Sequence, residues 1–177
     1  MLKLFRRFRA ERGGLAAVEF ALILPAMLAL VFGSIEVTNV LVVKADTTNI
    51  ASTAADLIAQ ESTVSDNDMT NVFNSLSALI YPYSASNLKI VITSIVDDGK
   101  GGGKVAWSDA KNATARTKGT TMTVPAGLIT SGGSVIFAEV TYAYTTPSTY
   151  LVKLPVTMTN NFYSHPRRVA QISRTAS

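Results

Sequence analysis

Residues 15–35 read LAAVEFALILPAMLALVFGSI, and this stretch decides the architecture. It is 21 residues long (15 to 35 inclusive) and carries one charge, Glu19. At the rise of an α-helix it spans about 31 Å, the thickness of a bilayer's hydrocarbon core. Leu, Ala, Phe and Val favour the helix. Pro25 removes one backbone donor inside it, which a membrane helix tolerates, with a kink as the expected cost. Lys3, Arg6, Arg7, Arg9 and Arg12 stand before the apolar run against a lone acid, Glu11. The positive-inside rule therefore places residues 1–14 in the cytoplasm and everything after residue 35 across the membrane.

That leader carries the entire net charge of +4, so the remaining chain holds as many acidic as basic residues. A nucleic-acid surface needs clustered positive charge on the folded part, and none is found there, so nucleic acid is excluded as a partner. With 47% hydrophobic and 16% charged residues, part of the apolar content is expected to face lipid. The chain has no cysteine, which removes disulfides, thiol nucleophiles and thiolate metal sites.

Glu19 is the anomaly. A carboxylate inside an apolar span costs several kcal/mol unless it is paired, so it marks function. Gly13-Gly14 precede the run, and Glu19 is the fifth residue after Gly14. A basic leader, a glycine, four residues and then glutamate form the arrangement of prepilin-like proteins, in which a membrane peptidase cuts after the glycine. Cleavage between Gly14 and Leu15 makes Leu15 a new N-terminal amine, and Glu19 lies one helical turn beyond it. In a packed filament that carboxylate pairs with a neighbour's amine, and two charges are neutralised in a dry bundle. Cleavage after Gly13 would spoil the spacing. Two simpler readings compete. One is a secretory signal cut near Val31-Phe32-Gly33, against which stand the length of the run and the acid at its head. The other is an uncleaved single-span anchor.

The run from Arg6 through Val37, with Gly14, Ala17-Val18-Glu19-Phe20-Ala21, Pro25 and Gly33 followed by Glu36, resembles the N-terminal signature of the TadE/TadG-like family. Val105–Ser108, Val135–Tyr142 and Phe162–Arg168 are similar to later segments of its shorter members; His165 stands where an arginine is common. The resemblance implies a minor pseudopilin of tight-adherence (Flp-type) pili, on the inner membrane with a periplasmic C-terminal domain, and at the cell surface after assembly. Its implied partners are the prepilin peptidase, other pilins and pseudopilins, the pilus assembly platform and the lipid bilayer. Neither a cofactor nor a small-molecule substrate is implied. Longer members with a metal-binding module need a D-x-S-x-S motif, which is missing here. The alternatives are a minor pseudopilin of a type II secretion system and a membrane-tethered periplasmic binding or hydrolase domain.

Beyond the membrane, Val40, Val43, Thr47, Ile50, Ala54 and Leu57 recur at spacings of three and four, predicting an amphipathic stem over 36–61. An α+β domain follows over 62–165. It has a polar break at Ser62–Asp68 and a helix from Met69 to Ile80 capped by Asp68 and ended by Pro82. Strands are expected from Leu88, at Val105–Trp107, over Val135–Tyr144 and over Val156–Phe162. The sheet would be small, antiparallel and packed on the stem, giving a pilin-like fold. Asp109–Gly119 reads as a loop, and residues 166–177 as a solvated basic tail.

Other candidate chemistry fails on spacing. Gly99–Lys104 is one residue short of a phosphate-binding loop and has Val105 where Ser or Thr would hold magnesium. His165 has no nearby carboxylate for a zinc site or a triad. Asp97-Asp98 read as turn residues, and Glu139 as an outward or lysine-paired carboxylate. Asn112-Ala113-Thr114 fits a glycosylation acceptor too short to mean much alone. The chain is read as a non-enzyme.

Overall fold

A computed structural model describes residues 13–145 and 156–176, so the basic leader of residues 1–12 lies outside the described residues. Helix α1 (Gly13–Ala59) is a single α-helix with Pro25 inside it. Then follow β1 (Thr63–Val64), α2 (Asp66–Ala78), a 3₁₀ turn (Ala85–Asn87) and strands β2 (Leu88–Asp97), β3 (Gly103–Lys111), β4 (Thr121–Met122), β5 (Ser134–Tyr144), β6 (Val156–Ser164) and β7 (Ser173–Arg174). The expected α+β arrangement is observed: a long N-terminal helix, then an antiparallel sheet of order β4-β3-β2-β5-β6. The chain falls into two compact units, divided along α1 between Asn39 and Val40.

In the second unit, Val43, Ile50, Ala51, Ala54, Ala55 and Ile58 of α1 are buried with Met69, Phe73 and Leu76 of α2. The same core takes Ile90 and Ile92 of β2, Ile136, Ala138, Val140, Tyr142 and Tyr144 of β5, and Met158 of β6. The two periods mesh: every third or fourth helix residue meets every second strand residue. Full burial of each Ile or Leu contributes roughly 1.5–3 kcal/mol, so this layer dominates the domain's stability. The helical line read from the sequence holds through Ala54. At the end Ile58 is buried, while Leu57 is 36% exposed. Thr47 sits fully buried in the line; its hydroxyl donates to the Lys44 carbonyl at 2.9 Å and accepts from Asn160 Nδ2 at 2.7 Å.

The sheet departs from the one-sided expectation. Its other face carries a smaller core of Ile95, Val135 and Phe137, packed by Met122, Val124, Ile129 and Tyr163. Met122 belongs to β4 and Tyr163 to β6, while Val124 and Ile129 come from the β4–β5 connection. The first strand is accordingly buried on both sides from Ile90 to Ile95.

Three local expectations are corrected. The cap of α2 is Ser65: its hydroxyl accepts from the Asp68 N–H, and Asp68 accepts from the Ser65 N–H at 2.9 Å, a reciprocal capping box. Ser62–Asp68 is more than a polar break, since Val64 is fully buried in β1. Asp109 is strand, not loop: β3 runs to Lys111, pairing Asp109 with Ile92 and Lys111 with Ile90. On β6, Met158 is buried while Phe162, paired with Ala138, is 43% exposed.

The C-terminal segment is docked rather than solvated. Ser173–Arg174 pair in parallel with Thr63–Val64. Ile172 is buried, and its carbonyl accepts from the Trp107 indole N–H at 2.8 Å. The Ser134 hydroxyl donates to the Ala170 carbonyl at 2.7 Å, and the Arg167 N–H to the Ala59 carbonyl at 2.8 Å. These last residues thus cross the end of α1, β1, β3 and β5.

Candidate functional site: the N-terminal helix

Gly14, Leu15, Glu19, Phe20, Pro25 and Gly33 all lie on α1. Leu15 is 64% exposed and Phe20 is 56% exposed, and the large apolar residues from Leu22 to Val37 are exposed as well. The helix is long and apolar enough to cross a membrane. Exposure on all sides of a helix, without a polar face, separates it from an amphipathic helix covering a soluble core.

Leu15 and Glu19 are four residues apart on one helix and so share a face, about 6 Å apart along the axis. Among the described residues Glu19 has no hydrogen-bond or ion-pair partner. Gly14 and Gly33 have nothing within 4 Å of the point where a Cβ would stand, so each leaves a shallow notch in the helix surface. Pro25 sits inside the uninterrupted helix and has no N–H for the Ala21 carbonyl. Past Gly33 the Ser34 hydroxyl donates to the Val31 carbonyl at 2.8 Å and the Thr38 hydroxyl to the Ser34 carbonyl at 2.9 Å, so these side chains satisfy themselves on the helix.

The second unit supplies polar constellations that sequence spacing could not find. Arg174 places Nε 2.9 Å and Nη2 3.1 Å from the two oxygens of Asp109, and Nη2 also meets Asp66. The hydrogen bonds to Asp109 chiefly hold the Arg174 pKa above its ordinary value; burial opposes them, and the Asp66 bond adds a further rise. Arg167 pairs with Asp56 at the end of α1. Glu139 is paired, with Arg116 Nη2 at 3.2 Å rather than with a lysine, and the same guanidinium lies 5.2 Å from the Phe137 ring centroid. Each pair bridges segments far apart in sequence, so only the fold brings them together.

The remaining candidates resolve as structural groups. Asp98 accepts from the Lys100 N–H at 2.7 Å and the Gly102 N–H at 2.8 Å, which lowers its pKa and shapes the Gly99–Gly103 turn. Asp97 accepts from Gly99 and Gly132. Tyr142 donates to the Ser84 carbonyl at 3.1 Å, with burial pushing its phenol pKa up. Among the described residues no group of three or more His, Asp or Glu side chains could hold a metal ion.

Residues 14–56 match the model of the TadE-like protein family, a structural, pilus-associated family. The match begins at Gly14 and runs along α1 to within three residues of its end, about a quarter of the chain. No well-characterised protein and no solved structure matches the chain.

Proposed function

We propose that this protein is a minor pseudopilin of a tight-adherence (Flp-type) pilus, inserted in the bacterial inner membrane by α1. Its N-terminus lies in the cytoplasm and its α+β domain in the periplasm. A prepilin peptidase cuts between Gly14 and Leu15, and the freed helix packs against other pilins and pseudopilins on the pilus assembly platform. The observation that carries this reading is the TadE-like match opening at Gly14, with Glu19 five residues beyond it and an exposed apolar helix behind it.

The chemistry is one of assembly. In lipid the lone Glu19 carboxylate is costly; a charged group at a helix centre costs about 2.5–3.5 kcal/mol on insertion-based scales, and Glu19, four residues inside the run, costs less than that. An ammonium made at Leu15 of an adjacent subunit offsets that cost only when the subunits are in the correct axial register. The charge pair therefore acts as a register gauge more than as glue. The notches at Gly14 and Gly33 allow close approach of neighbouring helices, as small residues do in membranes. No catalytic step belongs to this chain; the peptidase supplies the only covalent chemistry.

The test is intact mass and N-terminal sequencing of the protein from membranes with and without its prepilin peptidase. A chain starting at Leu15 only in the presence of the peptidase is expected. A start at Met1 under both conditions leaves an uncleaved anchor, and a start near Ser34 refutes the pilus mechanism.

A further inference from the structure

The second unit has two ends, and its own contacts fix which of them α1 enters. Asn160 of β6 bonds Thr47 at 2.7 Å, and farther along the chain the Arg167 N–H donates to the Ala59 carbonyl at 2.8 Å. β6 therefore runs from the Val40 end of the stem toward the Ala59 end. β5 is antiparallel to it, which puts Tyr144 and its partner Val156 at the Val40 end. There Val40, Tyr83 and Val156 pack against the same core. The Tyr83 and Tyr144 rings meet edge to face with centroids 5.8 Å apart, and Tyr142 donates to the Ser84 carbonyl. The turn that follows α2, over residues 79–84, thus lies at the end where α1 enters.

That turn is apolar and exposed. Leu79 is 47% and Tyr81 83% exposed, and Ala78 and Pro82 are exposed with them. Ile80, between them, is fully buried and accepts from the Tyr83 N–H at 2.9 Å, which fastens the turn to the core. No charged residue occurs between Asp68 and Lys89. Lys89 and Lys111 stand at the same end of the sheet, while the nearest acids along the strands, Asp109 and Glu139, are paired with Arg174 and Arg116. On α1, Lys44 and Asp46 balance each other at about this level. A tyrosine exposed beside leucine and proline, free of charge and flanked by lysines, has the composition of a membrane-interface contact. Such a ring sits at headgroup level with its hydroxyl in water.

We propose that the turn over residues 79–82 is a second membrane contact, which seats the α+β domain on the lipid headgroups beside the span. The proposal rests on the membrane reading of α1 and needs neither cleavage at Gly14 nor a pilus. Val40 is five residues beyond Ile35, so covalent length alone holds it within about 18 Å of the span's end. The headgroup layer extends about 5–7 Å beyond the hydrocarbon. The tether therefore keeps lipid at a local concentration that no diffusing protein partner matches, and lipid is the occupant the turn meets first.

The chain has no cysteine, so Ala78→Cys in the full-length protein takes a single nitrobenzoxadiazole fluorophore beside the turn. Leu22→Cys and Lys100→Cys carry the same label, the first inside the span and the second in the β2–β3 turn at the far end of the sheet. Each protein is reconstituted in vesicles of phosphatidylethanolamine and phosphatidylglycerol, with some lipid bearing a nitroxide on its headgroup or on its acyl chain. The expected result is quenching at 78 by the headgroup nitroxide, at 22 by the acyl-chain nitroxide and at 100 by neither, with 78 shielded from aqueous iodide. Leu79→Ser with Tyr81→Ser should move the ratio of docked to undocked domain about tenfold toward undocked, the size of burying one large apolar side chain. Both serines replace exposed residues, so Trp107 emission should not change. Acyl-chain quenching at 22 with free iodide access at 78 overturns the proposal and leaves the membrane reading standing, whereas free iodide access at both positions overturns both. Headgroup quenching at 78 that is insensitive to the serines also overturns it. So does shielding at 78 that is lost as the protein is diluted in lipid, which would assign the turn to contacts between copies.

Discussion

Replacing Arg174 by alanine tests whether the C-terminal segment fastens the domain. The guanidinium is 18% exposed and grips the Asp109 carboxylate through two nitrogens, while Asp109 is itself only 24% exposed. A hydrogen bond to a charged group contributes about 1.5–3 kcal/mol, and truncation also strands Asp109 without its partner. The Asp66 contact is more than half exposed on the acid's side and adds at most about 1 kcal/mol. Solvent reaches all three groups, so a total near 2–3 kcal/mol is expected, below the 3–5 kcal/mol of a fully buried pair. For a domain of this size that is roughly a 6–12 °C fall in Tm. Trp107 is the single tryptophan, and its indole N–H donates to the Ile172 carbonyl, so its emission reports docking of the segment directly. Urea unfolding of the full chain in detergent, followed by this emission, gives the number. Arg174→Lys keeps the charge but loses the two-pronged grip and should recover less than half of the loss. A loss under about 0.5 kcal/mol, the size of an ordinary surface substitution, would refute the idea that the segment is fastened here.

Gly103→Ala should destabilise by about 1–3 kcal/mol, because its methyl would lie 2.5 Å from Ile95 Cγ2 and 2.9 Å from Val124 Cγ2; thermal unfolding of the full chain in detergent checks it. Ser65→Ala removes the cap of α2 and should cost about 1 kcal/mol, read by urea midpoint at constant m. The Asp68 pKa lies below its ordinary 3.8, through hydrogen bonds from the Ser65 side chain and backbone. Its folded value is the depressed one, so its contribution is fully present above pH 3.8 and is lost as pH falls through the folded value. Asp68→Asn should flatten that acid limb in a titration of stability by lowering the neutral side, leaving the acid side unchanged. Glu19→Ala should leave Trp107 emission and domain stability unchanged while abolishing assembly, read as loss of subunit from sheared filaments; a variant that assembles normally would refute the register role.

Much of this architecture was legible because it rests on short-range periodicity. The apolar run, the stem line from Val43 to Ala54 and the alternation from Ile136 to Tyr144 each declare their element within a dozen residues. What was hidden depends on pairs that only the fold brings together. Arg174 meets Asp109 across 65 positions and Arg167 meets Asp56 across 111, so a basic C-terminus looks like a solvated tail until its carboxylates are located. Asp109 read as a loop residue because Asp109–Gly119 is largely polar in sequence, while Arg174, the partner that satisfies it in the strand, lies 65 positions away. The second small core was missed for a related reason. Met122, Val124 and Ile129 are scattered among Gly, Pro and Thr, with no period to connect them to Phe137. For the helix site, the Gly14-to-Glu19 interval was readable because both residues sit on one regular element, where sequence distance converts directly into spatial distance.

The two halves of α1 meet opposite physical requirements with one helix. From Val43 to Ile58 the helix has a period, and the residues on that line are buried by the chain's own sheet. From Leu15 to Ile35 it has none, and large apolar side chains are exposed around it. That stretch, 21 residues by inclusive count, is about 31 Å long and matches a ~30 Å hydrocarbon core. Val37, Leu41 and Val42 are exposed beyond it, among Glu36, Thr38 and Asn39, so a lone helix leaves them outside the hydrocarbon. Packing against neighbouring helices covers them with protein. Burial of Val37, Leu41 and Val42 on assembly is therefore expected to contribute alongside the Glu19 pair. Val37→Ser with Leu41→Ser should weaken assembly while leaving membrane insertion intact, since Leu15–Ile35 alone suffices to span. Equal loss of insertion and assembly would show that these residues belong to the bilayer segment, and would remove the argument for helix packing above it.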